Sequence, residues 1–419
     1  MQAVEALKFR RKRSLLKPFS NTNVLLIILV TALCCIGLLA LYSASLHIDL
    51  PFFKRVVGKQ FVWIILGVIL ATVVFFVQKK IFFDTAYLLY LVGIVLILLT
   101  YIVNKSPTGA SRWISVGAFH FQPSEFMKIF VILAIARYLS STEISLSDFR
   151  SLIIPVLFSL VPMVIILKQP DLGTSMIYFI LVFPMLFWAG ARLFHIFVIL
   201  SPIISIITAF NFYTFFVWVV LLLFIFYLSK EKLWAFIGLS ILNLSLGFMT
   251  PFLWNRLKTY QQNRILTLFN VNADPQGAGY QVIQSQIAIG SGGLFGKGLG
   301  QGTQTHLKFL PEQHTDFIFS VIGEEYGLIG VVFVLLLFFI MIMVLLTSAY
   351  RLRDKFSSLV IMGIGSTLLL HVVINVAMTI GLMPVTGLPL PFLSYGGSFI
   401  TTCFICIGLV LNINAEKPG

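Results

Sequence analysis

The chain has 419 residues, 59% of them hydrophobic and 11% charged, with a mean hydropathy of +1.00. A soluble domain carries about 25% charged residues, so a water-solvated globule is excluded and an all-α polytopic membrane protein is expected. The net charge of +14 does not point to nucleic acid, because the lysines and arginines sit mostly in loops between apolar runs.

Residues 1–22 form a basic tail in which Phe9-Arg10-Arg11-Lys12-Arg13 comes before the first apolar run. This is the pattern of a cytoplasmic N-terminus near anionic lipid. It lacks the small-residue cleavage site of a removable signal peptide. A helix needs about 20 apolar residues to cross the hydrocarbon core. Twelve candidate spans follow, at 23–45, 60–77, 82–103, 123–139, 151–168, 173–189, 194–210, 214–229, 233–251, 317–349, 357–381 and 398–414. They define one transmembrane domain over 23–414, followed by a cytoplasmic tail at 415–419. The run 317–349 is too long for one upright helix, so part of it is expected to project or tilt. Cys34, Cys35, Cys403 and Cys406 all fall inside apolar runs. The CxxC at 403–406 has no second pair or histidine at zinc spacing, which favours small apolar helix residues over a metal site.

Lys79-Lys80, Arg137, Arg150, Arg192, Lys230, Lys232, Arg351, Arg353 and Lys355 occupy short loops on one side. The positive-inside rule makes that side cytoplasmic, with both termini inside. The other side then holds the longer segments 46–58, 104–122, 252–316 and 382–397. The large loop 252–316, before the tenth span, is too long for a plain connector. Within it, residues 281–289 have a helical rhythm and read as a helix on or dipping into the outer leaflet.

Several polar groups in these segments have two readings. Arg112, Arg256, Lys258, Arg264, Lys297 and Lys308 can each be solvated or touch headgroups; together they suit a large anionic lipid substrate. The glycines from Gly290 to Gly302 form either a flexible turn-rich loop or a backbone nest for a pyrophosphate. They are not a Walker A loop, since Lys297 is followed by Gly298 and Ser291 stands at the first glycine position. Glu125 and Lys128 share a helix face and can pair, either as structure or as the lining of a polar cavity. Asp171 reads as a helix N-cap. The acidic stretch Glu312-Gln313-His314-Thr315-Asp316, followed by Glu324 and Glu325, opens the run 317–349. Carboxylates beside hydrocarbon are costly and mark function by default. No capping box forms at Thr315 or Asp316, and Ser320 and Glu324 below Asp316 suggest a polar stripe, so Asp316 is either a cap or a catalytic acid or base.

Gly109-Ala110-Ser111-Arg112-Trp113-Ile114, Phe121-Gln122-Pro123-Ser124-Glu125-Phe126-Met127-Lys128 and Gln169-Pro170-Asp171-Leu172-Gly173-Thr174 are recognisable together. So are Asp274-Pro275 through Gly302, Leu310 through Gly323, and Pro389-Leu390-Pro391-Phe392-Leu393-Ser394-Tyr395-Gly396-Gly397-Ser398. On these the chain resembles the SEDS family of membrane glycosyltransferases. Val385-Thr386-Gly387-Leu388-Pro389 looks like its elongation type. The resemblance implies a lipid II polymerase acting outside the cytoplasmic membrane during elongation, with Asp316 as the essential carboxylate. It maps conserved site positions onto Arg112, Trp113, Glu125 and Lys128, and Lys308, His314, Ser394 and Tyr395 join them as substrate-binding candidates. It implies a class B penicillin-binding protein and the elongation machinery as partners. The sequence requires no cofactor, and a divalent cation, Mg or Mn, is a further candidate for meeting the leaving-group charge. A lipid II flippase and a non-catalytic scaffold for a partner synthase are the alternatives. Family members usually have ten spans, so the pair near 214–229 and 233–251 is a surplus.

Overall fold

The computed structural model describes residues 21–46, 51, 53, 55–103, 112–116, 119–141, 146, 148–229, 233–271, 274, 277–306 and 309–415. Each of the twelve expected apolar runs is a helix. In chain order these are α1 (Asn21–Ala44), α2 (Val56–Phe76), α3 (Lys79–Val103), α4 (Pro123–Leu139), α5 (Arg150–Leu167), α6 (Leu172–Ala189), α7 (Leu193–Thr208), α8 (Phe212–Leu228) and α9 (Leu233–Arg256). The short helices α10 (Thr259–Leu266), α11 (Ala278–Ser291) and α12 (Thr303–His306) occupy the large loop. The chain then closes with α13 (Ile318–Arg351), α14 (Lys355–Thr379) and α15 (Gly397–Ala415). Among the described residues nine helices are long and apolar enough to cross a membrane. Helices α4, α7 and α8 are shorter, at 17, 16 and 17 residues. One feature lies outside the all-α expectation. Between α3 and α4, β1 (Ile114–Val116) and β2 (Phe119–Phe121) pair antiparallel, with Ile114 opposite Phe121.

Burial places the helices. In α14 and α15, 78% of the apolar window is inside the protein, against 11% in α2, so the last two helices form the centre and α2 lines the outside. Exposed Leu, Ile and Phe on the outer helices then face lipid rather than water. The surplus pair packs sideways: α8 and α9 rest on α7 and on each other, around buried Val198, Leu222 and Phe226. Inside this unit Ser205 donates to Asn243 at 2.8 Å and accepts from the Trp218 indole at 2.8 Å. Polar bonds of this kind hold helices together where lipid gives no hydrophobic drive.

The long run at 317–349 is not one continuous helix, because it breaks. Gly327 has φ 64 and ψ −163 inside α13, a region that only glycine occupies readily. The buried first segment ends there, and the residues from Leu328 to Arg351 rise about 36 Å, enough for one span. The glycine-rich stretch makes the break possible. Lys297 N–H and Gly298 N–H donate to the carbonyls of Glu324 and Glu325, each at 3.0 Å. Leu328 N–H and Ile329 N–H donate back to Gly293 and Leu294 at 2.9 and 3.2 Å. The orphan groups of two helix ends are thus satisfied by one crossing strand. A Cβ on Gly327 would stand 2.3 Å from Gly296 N. Gly327→Ala should therefore cost more than the about 1–3 kcal/mol of backbone strain alone, read as a fall of several degrees in Tm. An unchanged Tm would contradict the clasp.

Candidate active site

Asp316 stands at one mouth of the bundle, just before α13, and is half-buried. It is not the N-cap; Phe317 is. The Asp316 N–H donates to Glu312 O at 3.1 Å. Its carbonyl accepts from Asn375 Nδ2 at 2.8 Å, and the same amide donates to Leu388 O at 2.7 Å. Asn375 thus pins the acidic segment and the 385–389 loop with one side chain. Gly387, at φ 72, lies against the carboxylate, and a Cβ there would come within 3.3 Å of Oδ2. Burial pushes the Asp316 carboxyl up to about 6, and the neighbouring Glu312 carboxylate adds to the rise. The Thr315 hydroxyl and the Arg264 guanidinium oppose it. A carboxyl held near neutrality can give and take a proton.

The expected polar stripe beneath Asp316 is not open. Ser320 Oγ is 2.6 Å from Ser285 Oγ of α11, whose hydroxyl reaches Thr379 O. Helix α11 is accordingly docked on α13 and α14, not merely laid on a leaflet. Glu324 accepts from Lys297 Nζ at 2.8 Å, from Gln304 N–H at 2.9 Å and from Thr305 Oγ1 at 2.7 Å. Glu325 accepts from the Ser43 hydroxyl of α1. These two carboxylates anchor the glycine clasp and the loop after it. The pyrophosphate nest considered for that loop gives way to the same clasp, since the amides of Gly296, Lys297, Gly298 and Gly300 are spent internally.

Glu125 and Lys128 pair at 2.7 Å, with side chains 5% and 2% exposed. Lys128 Nζ also lies 3.0 Å from His371 Nε2 and 5.3 Å from the centre of the Phe399 ring. His371 Nδ1 is 3.1 Å from Pro389 O. An ammonium can only donate, so Nε2 accepts and Nδ1–H donates to the carbonyl, which fixes a neutral tautomer. The cavity beside Lys128 has room for one water at most. Lys128 lines that small space, and its ammonium is engaged by Glu125 and His371. His371 and Asn375 are one turn apart on α14 and hold adjacent carbonyls of the same loop, at Pro389 and Leu388. A continuous path of bonds links the buried ion pair to the backbone of Asp316.

The remaining expected residues ring this path. Arg112 donates to Gln169 O at 3.0 Å and to Pro170 O, and lies 3.9 Å from Asp171. Asp171 is the expected N-cap, accepting from Thr174 N–H at 3.1 Å. Trp113 is 39% exposed. His314 O accepts from Tyr395 N–H at 2.9 Å, which ties the acidic segment to the 394–396 loop. Ser394 is fully buried, and its hydroxyl accepts from Leu390 N–H at 2.8 Å. It holds a turn. Lys308 lies outside the described residues. Sequence reasoning missed His371, Asn375 and Gln60. The last donates to Ser394 O at 3.0 Å and accepts from Gly396 N–H at 3.3 Å. Cys403 and Cys406 are free and buried, and among the described residues no three His, Cys, Asp or Glu gather as a metal set.

The fold and this site define an integral membrane protein with a pinned, half-buried acid at one mouth of its helical bundle. A family model described as cell cycle protein, FtsW/RodA/SpoVE, matches residues 23–215 and 202–418, and the chain belongs to that family. The two matches overlap over residues 202–215. The chain is 36% identical to peptidoglycan glycosyltransferase RodA of Treponema pallidum, over 96% of this chain and 99% of that one. It is 34% identical to peptidoglycan glycosyltransferase MrdB of Escherichia coli K12, over 96% and 95%. Among solved structures it is similar to one described as the structural coordination of polymerization and crosslinking by a peptidoglycan synthase complex. That match has a TM-score of 0.69 and 30% identity, covering 93% of this chain and 96% of the other. The rod shape determining protein RodA of Thermus thermophilus matches with a TM-score of 0.61 and 27% identity, over 93% and 95%.

Proposed function

We propose that this chain is a peptidoglycan glycosyltransferase that polymerises lipid II into glycan strands during cell elongation. The observation that carries the reading is the Asp316 carboxyl, raised to about 6 by burial and lying against Gly387, on a backbone that Asn375 pins through the Asp316 carbonyl. In its ionised form it takes the proton of the acceptor's GlcNAc 4-hydroxyl. That oxygen bonds to the donor's MurNAc anomeric carbon as the bond to undecaprenyl pyrophosphate breaks, with inversion. Arg112, Arg264 and Lys308 supply positive charge for the leaving pyrophosphate. Lys128, buried and paired with Glu125, takes a positioning role. A magnesium or manganese ion would offset the pyrophosphate charge, but among the described residues no three His, Cys, Asp or Glu gather to hold one. A flippase or a scaffold has no use for a base near neutrality.

The raised carboxyl gives a signed expectation. The base form of Asp316 is present above about pH 6 and is lost as pH falls through that value. The kcat/KM for polymerisation should therefore rise with pH to a plateau, half-maximal near 6. A profile flat between pH 5 and about 7 would remove Asp316 as the base.

The Asp316 mouth is placed outside the cytoplasmic membrane, with both termini inside. Supporting this, Lys79, Lys80, Arg137, Arg150, Arg192, Arg351, Arg353 and Lys355 all fall at the opposite ends of their helices. Single cysteines at Asn211 and Ser229, at the two ends of α8, should label from outside and inside respectively. Labelling of both from one side would overturn this arrangement. A single-span class B penicillin-binding protein is the expected partner, supported by the synthase complex to which the chain is similar.

A further inference from the structure

At the end of the bundle away from Asp316, the α2–α3 turn, the last turn of α4 and the α13–α14 turn enclose an open cavity of about 650 Å³. Lys79, Lys80, Lys355, Asp84, Asp354 and Ser140 line it. Lys79 is spent on Asp354 at 3.1 Å. Lys80 and Lys355 are exposed and make no ion pair among the described residues. Arg137 adds a third positive group nearby. Its guanidinium donates to Asp84 O at 2.8 Å and lies over the rings of Phe83 and Tyr87 at 5.1 and 4.4 Å. One wall is apolar, where Phe83 meets Phe356 edge to face.

Such a cavity could hold a soluble anion or a lipid headgroup, and the face of α3 decides between them. Asp84 on the cavity wall starts a helical row that continues through Leu88, Leu91 and Val95, exposed by 61%, 60% and 54%. Spacings of four, three and four put these residues in one lane along the outer face. A soluble phosphate or an acidic protein segment has no use for an apolar lane running down the membrane flank. A phospholipid uses both parts, its phosphate among the lysines and an acyl chain along the lane. We infer that this cavity, remote from the catalytic mouth, is a binding site for the phosphate headgroup of an anionic phospholipid. The site does not depend on the proposed glycosyl transfer.

The test compares the purified full chain with a Lys80→Met/Lys355→Met variant, which leaves the Lys79–Asp354 bridge intact. After delipidation, each is offered phosphatidylglycerol or phosphatidylcholine, and retained lipid is counted by native mass spectrometry. The wild type should favour phosphatidylglycerol, and the preference should fall about fivefold for each lysine removed, with Tm unchanged. Equal retention of the two lipids by the wild type, or a preference that survives in the variant, would overturn the inference. So would displacement of phosphatidylglycerol by inorganic phosphate or by an acidic peptide at matched concentration, which would give the site to a soluble anion or a protein segment.

Discussion

Asp316→Asn is expected to abolish glycan polymerisation while the protein folds and reaches the membrane as before. Asparagine keeps the size and the backbone bonds, so Asn375 still holds residue 316 and Leu388 together. It removes the carboxylate assigned to accept the hydroxyl proton, a loss of about 10²–10⁴ in rate or more. Stability should not fall with it. The carboxyl of Asp316 is raised above its ordinary value by burial, so its ionised form is disfavoured in the fold. That ionisation weakens folding as pH climbs from the ordinary carboxyl range through about 6. A neutral amide escapes the cost, and Tm at pH 7 or above should be equal or higher. Near-wild-type rate and strand length in the purified variant would end the base assignment.

The second large effect belongs to the buried pair. Glu125→Gln removes the carboxylate 2.7 Å from Lys128 and leaves an ammonium inside the bundle with only His371 Nε2 and an aromatic face. Breaking one side of a buried pair costs about 3–5 kcal/mol. Lys128→Met should also hurt, because it strands Glu125 and releases His371 from one of its two partners. The double variant should recover part of the stability, since replacing both charges removes their desolvation cost. Activity should fall further than Tm explains, because the His371–Pro389 and Asn375–Leu388 bonds hold the loop that covers Asp316. Unchanged Tm and unchanged polymerisation in both single variants would show that the path carries nothing.

The helices were legible because each is a local run of apolar residues whose length matches a bilayer. The Glu125–Lys128 pair was legible because its partners are three residues apart on one helix. The break in α13 was not. Apolar periodicity runs straight through Gly327, and what ends the helix is the glycine strand arriving from residues 293–298. Glu324 reads from the sequence as part of a stripe under Asp316 for the same reason: its partners, Lys297, Gln304 and Thr305, lie far away in sequence. Gln60, His371 and Asn375 escaped because each is a lone polar residue on an apolar helix, bonded to loop carbonyls that no sequence pattern announces. A signal was present for two of them. A histidine and an asparagine four residues apart on a central span are costly in hydrocarbon, and that spacing puts them on one face toward a common partner.

The most direct test is strand formation from labelled lipid II by the purified chain, run with a class B penicillin-binding protein whose transpeptidase site is blocked. Partner concentration is varied at fixed substrate. The account predicts glycan strands that lengthen with time, at a rate that rises with partner concentration and vanishes in Asp316→Asn. Lipid II that crosses the membrane without polymerising, or strands made equally well by Asp316→Asn, would contradict it. Full activity at every partner concentration, with no co-purification, would leave the polymerase standing alone and the partner wrong.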